Sequence, residues 1–278
     1  MILKDKILPK ITIITSTYNC KTDLIKTIKS VKEQDYKNIQ WIIVDGNSND
    51  GTVEVIKNEK HIISDWISEN DNGIYDAWNK ACKFINGDWV IFLGAGDSFY
   101  NKNSLNYFWT NTPNNFDDYL IMYGNVLVIN RDGSPRYLDR KIKLTGYEYG
   151  RRTLPNHQGV FQSNKLFENS NPFDASFKIA GDSKFMIKAL LNGKAFHIDM
   201  TVSKMEDLGV SNDINNMMLA NNEVKSICKE FDLKIPCYIE IINNLRIFFY
   251  RFSYWFFPNK IVVNLKKKYD FFRKNSHL

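Results

Sequence analysis

Short apolar segments alternate with amphipathic segments along the first hundred residues of the chain. Ile11–Ser16, Gln40–Val44 and Trp89–Leu93 are runs of β-branched and aromatic residues, typical of strands buried on both faces. Within 22–35 and 73–85, apolar residues recur every three or four positions, which is the period of an amphipathic helix. This alternation predicts an α/β fold of βαβ units, with a mostly parallel central sheet flanked by helices.

The pattern becomes less regular beyond residue 97. In this part of the chain, the stretch 140–158 is polar and predicted to be a loop. Before it, a turn-rich segment follows the second predicted strand from residue 45. The remaining predicted elements are a helix ending near residue 58, strands at Ile62–Ile67, Tyr119–Ile129, His157–Gln162 and Ala195–Val202, and helices at Asp182–Leu191 and 213–231.

The composition is that of a domain that folds without a disulfide or a structural metal. Of 278 residues, 44% are hydrophobic and 24% charged, which excludes wholesale disorder. Four cysteines, at positions 20, 82, 228 and 237, form no CxxC pair and exclude a zinc ribbon or a disulfide scaffold. Charged residues and Pro9 interrupt the N-terminus, so no signal peptide is expected and the predicted location is the reducing cytoplasm.

The positive charge is concentrated at the C-terminal end. Residues 246–278 contain eight basic residues and one acid, a net charge of +7, whereas the rest carries −1. Nucleic-acid binding across the main body is therefore not expected. Residues 238–257 are apolar and aromatic, but two arginines near the centre disfavour a membrane-spanning helix. We expect a helical amphipathic extension on the anionic inner face of the cell membrane, or else a helix packed on the protein core or on a dimer partner.

Polar residues follow three of the predicted strands. The first strand ends in Thr17-Tyr18-Asn19, the second in 45–52 and the third in Gly94-Ala95-Gly96-Asp97. In open α/β sheets, ligands bind at the carboxyl ends of the strands, so these segments are expected to form one site.

Together with the segment Asn70–Lys80, these motifs resemble the family 2 glycosyltransferases over about residues 10–200. The resemblance implies a GT-A fold and inverting transfer of a hexose from a nucleotide-diphosphate sugar, with UDP-sugars favoured, to a glycan hydroxyl. It further implies bacterial surface-polysaccharide synthesis, of the O-antigen, capsule or exopolysaccharide type, on a polyprenyl-diphosphate-linked acceptor. Two departures are visible: Gly46 replaces a second acid, and Ala95-Gly96-Asp97 lacks the first acid of a DxD motif.

The resemblance implies roles for residues of the donor half. It places Tyr18 against the nucleotide base, Asp45 as an acceptor for a hydrogen bond from the base, Asp71 near base or ribose and Lys80 near the phosphates. Local alternatives remain open, because Tyr18 could cap the core, Asp45 could form a turn and Lys80 could be solvated. The predicted nucleotide-sugar contacts are Thr17, Tyr18, Asn19, Asp45, Asp71, Asp76, Asn79, Lys80, Gly96 and Asp97.

A divalent cation is expected because charge builds on the β-phosphate as the glycosidic bond breaks. Asp97 is the predicted ligand for Mn²⁺ or Mg²⁺, which take hard oxygen ligands. His157 is the second predicted ligand, with Gln158 beside it on the acceptor and diphosphate side. The alternative for His157 is a structural role.

Asp182 is the predicted catalytic base. The resemblance places an acid at the head of this helix, and inversion requires a group that removes the acceptor proton. A helix N-cap is the simpler interpretation of Asp182, and Asp174 is the nearest competing carboxylate.

The predicted domains are 1–235 for the transferase, with a donor half at about 1–100 and an acceptor half at about 101–235, and 236–278 for the basic aromatic segment. A nucleotidyltransferase and a non-catalytic glycan-binding protein are the alternative functions.

Overall fold

The computed structural model describes residues 8–130, 133–138, 147–148, 151–152, 154–169, 171–206 and 214–234, with eight further residues between 238 and 252. The chain forms two compact units. One comprises Met1–Leu144 with Thr153–Gly209, and the other comprises Thr145–Arg152 with Val210–Leu278. All predicted site residues belong to the first unit.

The first unit begins with the predicted alternation of strands and helices. These elements are β1 (Ile11–Thr17), α1 (Lys21–Lys32), β2 (Ile39–Asp45), α2 (Thr52–Asn58), β3 (Asp65–Ser68), α3 (Ile74–Cys82) and β4 (Trp89–Phe92). The unit continues with β5 (Ser98–Phe99), α4 (Ser104–Thr110), β6 (Tyr119–Ile129) and β7 (Pro135–Leu138). Its last elements are β10 (Val160–Ser163), α5 (Gly181–Asn192) and β11 (Lys194–Glu206).

Nine strands form one sheet in the order β3-β2-β1-β4-β10-β6-β11-β5, with β7 paired to β6. The pairs among β1 to β4 are parallel, as helical crossovers require. β10 runs antiparallel to both β4 and β6, whereas β11 again runs parallel to β6. The α/β class and the flanking helices are as predicted.

Helices cover both faces of this sheet. On one face, α1, α2 and α4 supply Leu24, Ile56 and Phe108 to a large core against the strands. On the other face, Met186 of α5 packs with Val160 of β10 and their neighbours, while α3 packs over β1 and β2. The carboxyl ends of β1, β2 and β4 lie side by side, because β2 and β4 pair in parallel with β1 on its two sides.

The segment predicted as a strand from His157 to Gln162 begins differently. His157–Gly159 is a 3₁₀ helix, and strand β10 starts only at Val160. A Cβ on Gly159 would lie 2.8 Å from the carbonyl oxygen of Gly124, so only a glycine permits this approach to β6. The chain therefore turns at His157–Gly159 before it enters the sheet.

The second unit contains β8 (Tyr147–Glu148), which pairs with β9 (Arg151–Arg152), and α6 (Ile214–Glu230). This strand pair lies in the stretch predicted as a loop. The described residues between 238 and 252 are helical, and the Asn221 amide of α6 donates a 3.3 Å hydrogen bond to Oδ1 of Asn244. Residues 253–278, which carry most of the predicted basic charge, lie outside the described residues.

Candidate active site

Neighbouring strand ends bring the polar motifs together at one edge of the sheet. Thr17 at the end of β1 pairs in register with Asp45 at the end of β2, and β4 lies on the other side of β1. The first turns of α3 and α5 and the 3₁₀ helix at His157 complete this edge through their contacts with one another.

Asp45 is enclosed by the protein. Its side chain is 0% exposed, and its two oxygens accept hydrogen bonds from Thr17 Oγ1 (2.8 Å), Ser68 Oγ (2.7 Å), and the amide (2.9 Å) and hydroxyl (2.5 Å) of Ser48. Burial opposes the charge, but these donors together hold the pKa of Asp45 below its ordinary value. Thr17 and Asp45 are thus hydrogen-bonded within the protein, and the contact of Asp45 with a base stays a prediction.

Tyr18 and Asp71 face each other across Gly46. A Cβ on Gly46 would lie 2.7 Å from Asp71 Oδ2 and 3.2 Å from the Tyr18 ring, so this position has no room for a side chain. Tyr18 is 66% exposed, and the other Asp71 oxygen accepts a 3.0 Å bond from the amide of Gly73. An exposed aromatic face next to a carboxylate oxygen suits a planar base that carries an N–H donor.

Asn19 takes part in hydrogen bonds between the loops that follow β1 and β2. It adopts a positive φ of 46°, and its Oδ1 accepts a 2.9 Å bond from the amide of Asn49. The amide of Asn19 in turn donates to Ser48 Oγ at 2.8 Å. These bonds join the loops that follow β1 and β2.

The predicted polar residues of α3 are largely occupied by the protein. Lys80 lies 3.0 Å from Glu69 Oε1 and donates to the carbonyl of Asn70 at 2.6 Å. Burial would lower the pKa of Lys80, but Glu69 and Asp76 outweigh it and raise the pKa above its ordinary value. Asp76 accepts a 2.9 Å bond from the amide of Asn72. The structure therefore favours a bracing role for Lys80 and Asp76 over the predicted nucleotide contacts.

Asn79 joins α3 to the loop before α5. Its amide group donates to the carbonyl of Phe173 at 2.8 Å, and its Oδ1 accepts from the amide of Phe173 at 2.9 Å. Both polar atoms are used within the protein and the residue is buried, so the contact of Asn79 with the nucleotide stays a prediction.

Asp97 lies in a tight loop after β4. Its Oδ2 accepts a 3.1 Å bond from the amide of Gly94, and the side chain of Gln158 forms a second hydrogen bond with it. Burial raises the pKa of Asp97 to about 7, and the charge of Glu206 adds to this rise. Gly96 has a φ of +96°, in the region that favours glycine.

His157 is buried among aromatic rings. It is 8% exposed and stacks on Trp78 with ring centroids 4.9 Å apart and an angle of 16° between the planes. Neither ring nitrogen has a hydrogen-bond partner among the residues that the structure describes. Burial lowers the pKa of His157, against the opposing charge of Asp182, so the neutral imidazole with a free nitrogen lone pair predominates.

Asp182 begins the first turn of α5. Its Oδ1 accepts hydrogen bonds from the amide of Ser183 (2.7 Å) and from the hydroxyl of Tyr75 (3.3 Å). The charge of Asp182 acts on His157, and the side chain of Gln158 hydrogen-bonds Asp97. Tyr75 was not predicted as a site residue, although a buried tyrosine in an apolar helix requires a partner for its hydroxyl.

The donor atoms present fit a divalent cation held jointly with a substrate. Within the described ranges, no three His, Cys, Asp or Glu side chains form a group that could hold a metal by themselves. Asp97 offers one carboxylate, and the orphaned buried nitrogens of His157 offer a ligand of the kind that Mn²⁺ accepts. Mg²⁺ and Mn²⁺ are commonly bound through one or two carboxylates with phosphate oxygens and water.

The chain is similar to known glycosyltransferases. The sequence model of the family described as Glycosyl transferase family 2 matches residues 12–171. A PGL/p-HBAD biosynthesis glycosyltransferase from Mycobacterium bovis is 27% identical over 197 residues, which are 66% of this chain and 71% of that protein. The UDP-Glc:alpha-D-GlcNAc-diphosphoundecaprenol beta-1,3-glucosyltransferase WfaP from Escherichia coli is 36% identical over 88 residues, which are 31% and 35% of the two chains.

A solved structure shares the fold over nearly the whole chain. The mannosyltransferase PcManGT from Pyrobaculum calidifontis, in complex with GDP-Man and Mn²⁺, superposes with a TM-score of 0.63 and covers 95% of this chain and 81% of its own. At 14% identity this likeness concerns the fold, which is the predicted GT-A fold.

Proposed function

Because the chain belongs to glycosyl transferase family 2, we propose that it transfers a hexose, with inversion, from a nucleoside diphosphate sugar to a hydroxyl of a glycan acceptor. The supporting observation is that adjacent residues connect two carboxylates. Gln158 hydrogen-bonds Asp97, and His157 lies within the electrostatic reach of Asp182. Direct displacement needs one group at the leaving diphosphate and a base at the attacking hydroxyl. A non-catalytic glycan-binding protein would need no such base.

The donor base is assigned to the slot between Tyr18 and Asp71. The exposed Tyr18 ring supplies a stacking face, and Asp71 Oδ2 supplies an acceptor for the imide N–H of uracil or thymine, or for a guanine N–H. We favour a UDP-sugar, the donor type named for the E. coli relative, although PcManGT was solved with GDP-Man. Direct binding measurements with UDP-sugars and GDP-sugars distinguish these two donor types.

In the reaction, the acceptor oxygen attacks the anomeric carbon as the bond from that carbon to the diphosphate oxygen breaks. Asp182 Oδ2 receives the acceptor's proton, because both donors of this carboxylate are directed to Oδ1. The bonding electrons leave with the diphosphate. Because the buried His157 is neutral, no imidazolium forms an ion pair with the Asp182 carboxylate.

Asp97, with His157, would hold a divalent cation beside the diphosphate. When bound, the cation would neutralise the charge that develops on the leaving group. Gln158 and the amide of Gly94 orient the Asp97 carboxylate for this purpose.

The acceptor is proposed to be a glycan on a polyprenyl diphosphate, used in surface-polysaccharide synthesis. The names of two relatives support this class, one through PGL/p-HBAD biosynthesis and the other through a diphosphoundecaprenol acceptor. We assign residues 1–235 to the transferase and 236–278 to membrane association at the inner leaflet.

An apolar helical face supports the assignment to the membrane. Seven described residues, 50–65% exposed, follow one another at intervals of one or three, and therefore share one side of a helix. They are Tyr238, Ile241, Ile242, Leu245, Phe248, Phe249 and Phe252. Among the residues that the structure describes, no helix has the length and apolar character needed to cross a bilayer.

The decisive experiment compares Asp182→Asn with the unaltered enzyme. A thermal-shift panel of UDP-, GDP- and dTDP-sugars with Mn²⁺ first identifies the donor, since a ligand of the folded state raises Tm. Transfer to α-D-GlcNAc-diphosphoundecaprenol is then expected to fall by about 10²–10⁴ in Asp182→Asn, with the donor Kd unchanged.

Asp174→Asn is the matched control. Asp174 accepts a 2.8 Å bond from Lys184 and a 2.6 Å bond from the hydroxyl of Ser176, so its carboxylate is engaged within the protein. This variant should lose stability but retain most of its transfer activity. Loss of donor binding in Asp182→Asn would instead make Asp182 a nucleotide-binding or structural residue.

A further inference from the structure

Tyr75 connects the two helices that flank the proposed centre. It belongs to α3, but its buried ring lies beneath the first turn of α5. A Cβ on Gly181 would lie 2.8 Å from the ring, so the helix backbone rests directly on the aromatic face. The position of the Asp182 carboxylate is therefore set by a residue of the donor half.

The Tyr75 hydroxyl lies between two acceptors. It is 2.7 Å from the carbonyl oxygen of Ile179 and 3.3 Å from Asp182 Oδ1. Burial, together with the charge of Asp182, raises the pKa of Tyr75 far above its ordinary value, so the hydroxyl remains a proton donor. The single hydroxyl proton is thus shared between the carbonyl oxygen of Ile179, which precedes α5, and the carboxylate of Asp182 in the first turn of α5.

The two oxygens of Asp182 have different surroundings. Oδ1 accepts from the Tyr75 hydroxyl and from the amide of Ser183, whereas no described residue donates to Oδ2. A carboxylate held by two donors at one oxygen has little freedom to rotate. The other oxygen is then presented in one orientation to a hydroxyl that approaches the site.

We propose that Tyr75 is a positioning residue for the transfer reaction: its hydroxyl fixes the rotation of the Asp182 carboxylate so that Oδ2 faces the acceptor. This inference rests on the proposed function, because it takes Asp182 to be the base.

Other charged groups near this turn do not supply the same restraint. Lys184 of α5 pairs with Asp174 at 2.8 Å, and Lys178 donates to the carbonyl oxygen of Asn72 at 3.0 Å. His157 is neutral and stacked on Trp78. Among the described side chains, Tyr75 is the one that donates a hydrogen bond to the Asp182 carboxylate.

Tyr75→Phe tests the proposal, since it removes the hydroxyl and keeps the ring that supports Gly181. We expect kcat for transfer to α-D-GlcNAc-diphosphoundecaprenol to fall about 10- to 100-fold, because a misoriented group loses near-attack geometry. The KM and Kd of the donor should not change, since the carboxylate is not part of the donor slot.

Tyr36→Phe is the matched control. Tyr36 is also buried and also donates its hydroxyl to a backbone carbonyl, that of Pro9, away from the site. Both variants lose one buried hydrogen bond to a carbonyl, so similar decreases in Tm are expected. Only Tyr75→Phe should lower kcat, and equal kcat values for the two variants would overturn the proposal.

A double variant separates positioning from a general structural effect. If Tyr75 acts through Asp182, Tyr75→Phe should cause no further loss in an Asp182→Asn background. A full additional loss would show that Tyr75 acts elsewhere. Full turnover by Asp182→Asn alone would refute the proposed base and this inference together, whereas an inactive Asp182→Asn with a fully active Tyr75→Phe refutes only the inference.

Discussion

Asp97 is held by neutral donors and not by a cationic side chain of the described region. The Gly94 amide and the Gln158 side chain orient its carboxylate, while Thr27 of α1 donates to its carbonyl oxygen at 2.8 Å. None of these contacts is an ion pair, so the Asp97 carboxylate has no cationic partner among the described residues.

Asp97→Asn should accordingly remove Mn²⁺-dependent binding of the nucleoside diphosphate and leave the fold intact. Isothermal titration with UDP or GDP, with and without Mn²⁺, measures the first effect, and Tm measures the second. Asp23→Asn is the control, because Asp23 lies beside Gly96 but is half-exposed and paired with Lys26 at 3.0 Å. Unchanged Mn²⁺-dependent binding by Asp97→Asn would show that the cation, if used, is held elsewhere.

At the level of elements, Asp45 ties together the ends of three adjacent strands. Its oxygens accept from Thr17 at the end of β1, from Ser68 at the end of β3 and from Ser48 in the turn after β2. These strand ends carry the loops of the donor slot. The carboxylate therefore stabilises the platform on which Tyr18 and Asp71 are placed.

Asp45→Asn should lower the free energy of unfolding by about 1–3 kcal/mol at neutral pH, because an amide cannot accept all four bonds. The folded pKa of Asp45 lies below its ordinary value of 3.8. Its contribution is therefore complete above that value and lost as the pH falls through the folded pKa.

Urea unfolding of the wild type and Asp45→Asn, compared at neutral pH and below pH 3.8, checks this expectation. The difference between the two proteins should shrink in acid, since protonation removes the acceptor capacity that the mutation removes. The exposed Asp117→Asn serves as the control and should differ little from the wild type at either pH. A difference that does not change with pH would contradict this role for Asp45.

For the whole molecule, charge and apolar surface coincide at the C-terminal end. The exposed helical face at 238–252 lies in the part of the chain that leads into the basic residues. Each basic residue near an anionic surface contributes about 1 kcal/mol, screened by salt within roughly a Debye length. This combination is suited to a surface on which a lipid-linked acceptor is held.

The 278-residue protein should therefore sediment with anionic liposomes at low salt and be partly released at high salt. Replacing Phe248 and Phe249 by serine should weaken binding and reduce transfer to a lipid-linked acceptor more than to a short soluble one. Tyr107→Ser, which alters an exposed aromatic residue of α4, is the control. A variant that ends at Pro236 should remain in solution. Equal liposome binding by this variant and by the unshortened protein would show that the C-terminal segment is a helix packed on the protein.

The sequence by itself determined the α/β alternation through residue 97, the family and the strand ends at which the site lies. Apolar periodicity and turn residues are local properties, so they can be read without knowledge of distant partners. The unpredicted helix α4 and strand β5 are short, and their patterns are correspondingly weak.

Only the tertiary structure decided which polar atoms are available at the site. Asp45 and Asn79 are motif residues, yet Ser68 and Phe173 occupy their polar atoms, while Tyr18 remains exposed. Tyr75, by contrast, reaches Asp182 from another helix. Hydrogen-bond partners far apart in the chain meet only through strand order and helix packing, so no local pattern could distinguish an occupied carboxylate from a free one.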